Sequence, residues 1–208
     1  KDSTYGQYHG AVIATPTFSH LSDAAILAEF QVPCLIEKPL SRDMRGVDAF
    51  MMALAQNRVW CCVGYSLRFH WAVRELHRLV KGGFLGEVVS FRAEVGQWLP
   101  DWHPGEDWTK WWMSRDQLGG GVLPDLSHEI DYIRWIIGEV HSLSAVLQRT
   151  GVLKELDGYD LCEAVLRCGD VIGSVHMDLL SRTYHRRCSI VGTEGSALWE
   201  DDRGTLTL

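Results

Sequence analysis

The sequence predicts an α/β protein in which a parallel α/β part is followed by an α+β part with a mostly antiparallel sheet. In the first third, short apolar runs alternate with segments whose apolar residues recur at helical spacing, an order typical of parallel strands joined by helices. In the last third, extended segments are separated by turn signals such as Cys-Gly-Asp and Gly-Thr-Glu-Gly, which favours antiparallel pairing.

The first part is predicted to hold three strands and two helices. The strands are short apolar runs of the kind buried in parallel sheets: AVIATPT (11–17), VPCLIEKPL (32–40) and VWCCVGYSL (59–67). The helices between them are SHLSDAAILAEFQ (19–31) and SRDMRGVDAFMMALAQN (41–57). Because strands and helices alternate with short links, we expect one parallel sheet.

The second part begins with the predicted helix HWAVRELHRLVKGG (70–83), which its glycines end, and with the strand EVVSFRAEVGQWL (87–99). A tryptophan-rich loop, DWHPGEDWTKWW (101–112), leads to a helix that ends near Gly138. Four predicted strands follow: SLSAVLQRT (142–150), DLCEAVLRC (160–168), VIGSVHMDLL (171–180) and HRRCSIVG (185–192).

Composition excludes several classes of function. The net charge of −7 and the pI of about 5.7 argue against a nucleic-acid partner, which needs a basic face. No apolar run approaches the roughly 20 residues that span a bilayer, and the start of the chain has no secretion-signal pattern. The six cysteines form no Cys-x-x-Cys pair, so we expect buried free thiols in a reducing cytoplasm.

The segment GGGVLPDLSHEIDYIRW (119–135) carries the candidate chemistry. It lacks the lysine of a phosphate-binding loop and the second histidine of a His-Glu-x-x-His zinc site. If a helix begins near Pro124, then Asp125, His128 and Asp131 or Tyr132 share one face, which is plausible for a general acid–base site. The alternative is structural: a helix cap, a partly buried histidine and a glycine turn.

Segments in a fixed order resemble the Gfo/Idh/MocA oxidoreductases, the family of glucose–fructose oxidoreductase and inositol dehydrogenase. The two main segments are IEKPLS (36–41) and GGGVLPDLSHEID (119–131). Supporting segments in the family's order are AVIATPTFSH (11–20), GYSLRF (64–69), FLGEVVSF (84–91) and VGTEG (191–195).

The resemblance implies a partial Rossmann sheet over residues 1–66 and a substrate and dimerisation domain over residues 67–208. It implies hydride transfer between NAD or NADP and a carbinol carbon of a sugar, sugar acid or cyclitol. It also implies a homo-oligomer that forms through the sheet of the second domain. The alternative is a non-catalytic relative that keeps the fold for binding or assembly.

By resemblance, Lys38 is the active-site lysine, and Asp125 and His128 match the acid and histidine of the catalytic helix. A neutral imidazole can remove the hydroxyl proton of an alcohol, and a nearby ammonium stabilises the developing alkoxide. The cofactor contacts implied by the resemblance are Thr15, Pro16, His20, Glu37, Lys38 and Pro39.

The sequence departs from the family pattern in two places. The spacing Asp125-x-x-His128 is one residue shorter than in many members, so Asp131 could orient the imidazole instead. No Gly-x-Gly-x-x-Gly turn precedes the first strand, so we interpret the sequence as part of a longer polypeptide. Arg68 stands where relatives often carry paired arginines, and either a substrate contact or a structural salt bridge is open. Asp131 is the second candidate substrate contact.

Other polar and aromatic residues have alternative roles. Arginines 182, 186 and 187 could meet an anionic substrate, although a solvated strand edge is the favoured interpretation. The tryptophans before the glycines could line a sugar pocket, pack against the sheet or form a subunit interface. Histidines 70, 77, 103 and 176 have no metal-ligand spacing, and we expect no metal site.

Overall fold

A three-stranded parallel sheet opens the fold, in a computed structural model that describes residues 8–208. Residues 1–7, where the sequence predicts no secretion signal, lie outside the described residues. The strands β1 (Ala11–Ile13), β2 (Cys34–Ile36) and β3 (Cys61–Val63) pair in sequence order, and helices α1 (Thr17–Glu29) and α2 (Val47–Asn57) connect them. The predicted parallel sheet is confirmed.

A seven-stranded sheet forms the second part of the fold. Its strands are β4 (Val88–Gly96), β5 (Ser142–Gln148), β6 (Leu161–Cys168), β7 (Val171–Asp178), β8 (His185–Gly192), β9 (Ser196–Glu200) and β10 (Thr205–Thr207). The spatial order is β10-β9-β8-β4-β7-β6-β5, and every pair is antiparallel except β4 with β7. The predicted α+β part with a mostly antiparallel sheet is therefore also confirmed.

One face of the large sheet is covered and the other is open. Helices α3 (Trp71–Lys81) and α5 (His128–Ile136) bury side chains such as Leu76 and Ile133 against the sheet. Side chains alternate between the two faces of a strand, so residues 91, 93 and 95 of β4 point to this core. The alternate positions of β4 and of β6 to β9, which point away from this core, form what we call the open face.

The prediction of one continuous helix from Pro124 to Gly138 is wrong. The chain forms a single turn, α4 (Val122–Asp125), and then restarts as α5. Tyr132 is fully buried and packs edge-on against Trp199, so the predicted polar face shared by Asp125, His128 and Tyr132 does not form.

All six cysteines lie in the described residues and are free thiols. Among the described helices, none combines the length and the apolar composition needed to cross a bilayer.

Candidate active site

The carboxyl edge of the parallel sheet carries most of the residues implied as cofactor contacts. Thr15 and Pro16 follow β1, and residues 37–39 follow β2, so the two loops leave neighbouring strands at one edge. The N–H of Glu37 donates to Ile13 O at 2.8 Å, which extends the pairing by one residue. In open α/β sheets, ligands bind in the crevice outside this edge.

His20 on α1 contacts both loops. The side chain is buried on α1, and its two ring nitrogens lie 2.7 Å from Thr15 O and 2.8 Å from Pro39 O. The Lys38–Pro39 peptide bond is cis. The His20 ring therefore lies between the two loops, with each ring nitrogen within hydrogen-bond distance of a backbone carbonyl.

The Lys38 side chain extends from the loop after β2 to the segment that contains Asp125. Its Nζ donates to the backbone oxygens of Asp125 at 2.5 Å and Pro124 at 3.2 Å, at the carboxyl end of α4. A lysine at a helix carboxyl end satisfies carbonyls that lack a helical partner. Burial lowers the pKa of Lys38, although the carboxylates of Asp125 and Glu37 act in the opposite direction.

The three glycines form a tight turn that positions Asp125. Gly121 has a φ of 103°, and its N–H donates to the side-chain Oδ2 of Asp125 at 3.2 Å. A Cβ on Gly120 would lie 2.0 Å from the carbonyl oxygen of Met113, so only glycine allows this approach. Burial raises the pKa of Asp125 to about 7, against the lowering effects of the Lys38 ammonium and the Gly121 N–H.

His128 begins α5, and its ring lies edge-on to Tyr65 with centroids 5.6 Å apart. Burial, together with the positive charges of Lys38 and Arg186, lowers the pKa of His128 to about 4. The imidazole is therefore neutral near pH 7. Within the described residues, His128 Nδ1 and Asp125 Oδ1 are both buried without a hydrogen-bond partner.

Arg68 and Asp131 contact each other rather than the imidazole. The guanidinium Nε and Nη2 donate to the two carboxylate oxygens of Asp131 at 2.8 and 2.7 Å. This is the salt-bridge alternative for Arg68. Both Asp131 oxygens accept from the arginine, and among the described residues no hydrogen bond joins Asp131 to His128. The suggestion that Asp131 orients His128 stays a prediction.

Residues 73–198, more than half of the chain, match the GFO/IDH/MocA C-terminal domain. The chain belongs to the GFO/IDH/MocA family. It is 30% identical over 141 residues to levoglucosan dehydrogenase of Pseudarthrobacter phenanthrenivorans, which covers 67% of this chain and 35% of that protein. It is 28% identical over 135 residues to the rhizopine catabolism protein MocA of Rhizobium meliloti, which covers 64% of this chain and 39% of that protein.

A solved structure of levoglucosan dehydrogenase in complex with NADH and levoglucosan superposes on this GFO/IDH/MocA chain with a TM-score of 0.84. The identity is 27%, and the match covers 95% of this chain and 55% of that chain. An inositol dehydrogenase homologue from Azotobacter vinelandii, 17% identical with a TM-score of 0.85, shares the fold. The chain thus spans 35% and 39% of the length of these two curated relatives and 55% of the solved levoglucosan dehydrogenase structure.

This GFO/IDH/MocA chain also has a buried ion pair, next to His128 in the sequence, that was not predicted. Glu129 on α5 is fully buried, and its Oε1 accepts from Nε of Arg186 on β8 at 2.8 Å. The expected solvated-edge role of Arg186 is wrong, because β8 is an inner strand and residue 186 points to the helix-covered face. The alternation of β8, with buried residues at 188 and 190, is the signal that places Arg186 on this face.

The neighbouring arginines also have partners within the protein. Arg187 lies on the open face, with Glu94, Glu200 and Asp202 within 3.4–3.7 Å of its guanidinium. Arg182 stacks 3.4 Å above the ring of Trp98. Four of the tryptophans before the glycines are half-buried against the large core, which corresponds to the packing alternative: Trp98, Trp102, Trp108 and Trp111.

Proposed function

We propose that the protein containing this chain is an NAD(P)-dependent oxidoreductase that oxidises a carbinol carbon of a sugar, sugar acid or cyclitol. The observation that carries the proposal is the approach of Lys38 to the segment of Asp125 and His128. An ammonium, a carboxyl and a neutral imidazole meet at the carboxyl edge of a parallel sheet, where α/β folds bind ligands.

The described residues fit a nicotinamide cofactor. Thr15 and Glu37 are exposed at the sheet edge, and Lys38 and Pro39 lie beside them. The unpartnered His128 Nδ1 and Asp125 Oδ1 show hydrogen-bonding capacity that the protein itself leaves unused. When bound, NAD(P)⁺ would supply the acceptor for the hydride that leaves the carbinol carbon.

The side chains of this chain would accept the hydroxyl proton and stabilise the negative charge that develops on the substrate oxygen. Neutral His128 accepts the hydroxyl proton as the C–O bond gains double-bond character. An ammonium has three N–H donors, and Lys38 uses two of them on backbone oxygens, so the third can stabilise the developing alkoxide. Asp125 holds the glycine turn and places a carboxyl beside the lysine.

Relatives support the substrate class. Besides levoglucosan dehydrogenase, proteins similar to this chain include a 1,5-anhydro-D-fructose reductase of Ensifer adhaerens, 26% identical, and a scyllo-inositol 2-dehydrogenase of Bacillus subtilis, 25% identical. Each of these names refers to a sugar derivative or a cyclitol. We extend this class to the present chain, with Arg68 and Asp131 in a supporting role that anchors α5 rather than as direct substrate contacts.

The proposal includes self-association through the open face of the large sheet. This face exposes apolar side chains on four of its strands: Val165, Ile172, Val191 and Leu198. Exposed apolar patches on sheets commonly mark protein contacts. Sedimentation should show a homo-oligomer that Ile172→Glu weakens, whereas a native monomer would contradict this part of the proposal.

The test is NAD(P)H formation by the full-length protein with a panel of sugars, sugar acids and cyclitols. At least one substrate should be oxidised, and deuterium at the oxidised carbon should slow turnover and appear in the reduced cofactor. Tight NAD(P) binding without turnover of any member of the panel would favour the non-catalytic alternative.

A further inference from the structure

A second polar cluster lies on the open face, across the large sheet from His128. His176 and Asp178 are two residues apart on β7 and share this face, and His185 begins β8. One potential ligand atom from each of the three side chains lies within 4.8 Å of the others. The cluster is at the opposite end of the strands from the apolar patch of Ile172 and Val191.

The register of the sheet brings the cluster together over the intervening strand. Strand β4 lies between β7 and β8, and its last residue, Gly96, pairs with both Asp178 and His185. A Cβ on Gly96 would lie 2.4 Å from His185 Cε1 and 2.5 Å from Asp178 Oδ2. Glycine at this position therefore lets side chains of β7 and β8, which flank β4, approach each other across it.

Each histidine has a partner for Nδ1 outside the cluster, and the potential ligand atom is the other ring nitrogen, which in His176 contacts Asp178. His176 Nδ1 lies 2.5 Å from Glu163 Oε1, and His185 Nδ1 lies 3.4 Å from the backbone oxygen of Thr183. Metal-binding histidines have this arrangement, in which a carboxylate or carbonyl accepts the other N–H and fixes the ring.

The carboxylate between the rings is buried and fixed. Asp178 Oδ1 accepts the N–H groups of Leu180 and Ser181 at 2.7 and 2.6 Å. Asp178 Oδ2 accepts the hydroxyl of Ser181 at 2.9 Å and faces His176 Nε2 at 2.9 Å. On metal binding, Asp178 Oδ2 would exchange its contact with His176 Nε2 for the ion and keep the Ser181 hydroxyl.

We propose that His176, Asp178 and His185 bind a zinc-type divalent transition-metal ion. Two imidazole nitrogens and one carboxylate oxygen are a ligand set of Zn²⁺, with water at the fourth position. Ligands of a tetrahedral zinc ion lie about 3.3 Å apart, so the half-buried His185 ring moves inward on binding. The metal replaces the proton on His176 Nε2, which is released to solvent. The bound ion links β7 to β8 across Gly96.

The site is tested by calorimetric titration of the chain with zinc chloride after chelator treatment. One saturable equivalent should bind, and zinc should raise the melting temperature. His185→Gln should weaken binding at least about 100-fold, and Glu163→Gln, which alters only the outer hydrogen bond, by about 10–100-fold. The matched control is His103→Asn, because His103 is an exposed histidine distant in sequence from the cluster.

Three outcomes overturn the proposal. The first is the absence of saturable zinc binding, which would leave the cluster as an ion pair only. The second is an equal loss of affinity in His103→Asn and His185→Gln, which would indicate adventitious surface binding. The third is retained affinity in His185→Gln with an unchanged circular dichroism spectrum. Should His185→Gln misfold, the Glu163→Gln titration and the visible spectrum of the Co²⁺-loaded native chain decide between tetrahedral binding and none.

Discussion

Replacing Arg186 by methionine should strongly destabilise the fold, because it leaves the carboxyl of Glu129 buried without its partner. Glu129 has no exposed side-chain surface and the Arg186 side chain is 15% exposed. The second carboxyl oxygen, Glu129 Oε2, already has no hydrogen-bond partner among the described residues. Among the described residues, Arg186 is therefore the side chain that donates a hydrogen bond to this carboxyl.

The expected loss is about 3–5 kcal/mol in the free energy of unfolding, the usual range when one member of a buried ion pair is removed. The double variant Glu129→Met/Arg186→Met should recover most of this loss, because it removes the uncompensated charge as well. The control is Arg203→Met. Arg203 pairs with Glu200 at 3.3 Å while 63% exposed, and its loss should cost less than about 1 kcal/mol.

The deficit of Arg186→Met should also depend on pH. Burial raises the pKa of Glu129 above its unfolded value, and the Arg186 charge opposes that rise. A raised pKa in the folded state means that stability is present at low pH and is lost as pH rises through that pKa. Without Arg186 the pKa rises further, so the variant should be closest to the native protein in acid and furthest from it in alkali.

Urea unfolding followed by tryptophan fluorescence measures these differences, since Trp199 is buried in the same core. A double-mutant cycle then gives the coupling between the two side chains. The reasoning is refuted if Arg186→Met costs no more than Arg203→Met, or if the double variant loses the sum of the two single losses.

Further predictions concern the candidate active site. Lys38→Met should lower kcat for alcohol oxidation by about 10²–10³-fold, because it removes the donor to the alkoxide; a loss of under tenfold would exclude that role. Asp125 has a pKa raised to about 7, so oxidation should slow as pH falls below 7, and the Asp125→Asn profile should lack this limb. An unchanged limb in that variant would remove Asp125 from the pH dependence. Gly120→Ala should lower the free energy of unfolding by about 1–3 kcal/mol or more, since its Cβ meets a backbone oxygen at 2.0 Å. Gly195→Ala, whose Cβ would make an ordinary 3.5 Å contact, should be nearly neutral, and equal losses in urea unfolding would contradict the glycine argument.

The sheets could be predicted from sequence because their signals are local. Apolar runs and turn residues report the strands directly, and the hairpin at Gly-Thr-Glu-Gly joins β8 to β9 as expected. The break between α4 and α5 could not be predicted in this way. Lys38, distant in sequence, takes the Pro124 and Asp125 carbonyls that a continuous helix would pair with later N–H groups.

Contacts between residues that are far apart in the sequence could not be predicted from local patterns either. Arg68 has two plausible roles in the sequence, and only the fold pairs it with Asp131. His176 and His185 have no metal-ligand spacing along the chain, yet the register of three strands brings them together at Gly96. Periodicity gives the face of a strand, whereas the identity of the neighbour depends on the sheet order.

His128 is proposed to be the base in a hydride-transfer reaction, and the most direct test is kcat of His128→Ala with a confirmed substrate. General base catalysis contributes about 10²–10⁴-fold, so kcat should fall within that range while the calorimetric affinity for NAD(P) stays close to native. His103→Asn, as the matched control, should keep full turnover. Undiminished turnover by His128→Ala would contradict the mechanism.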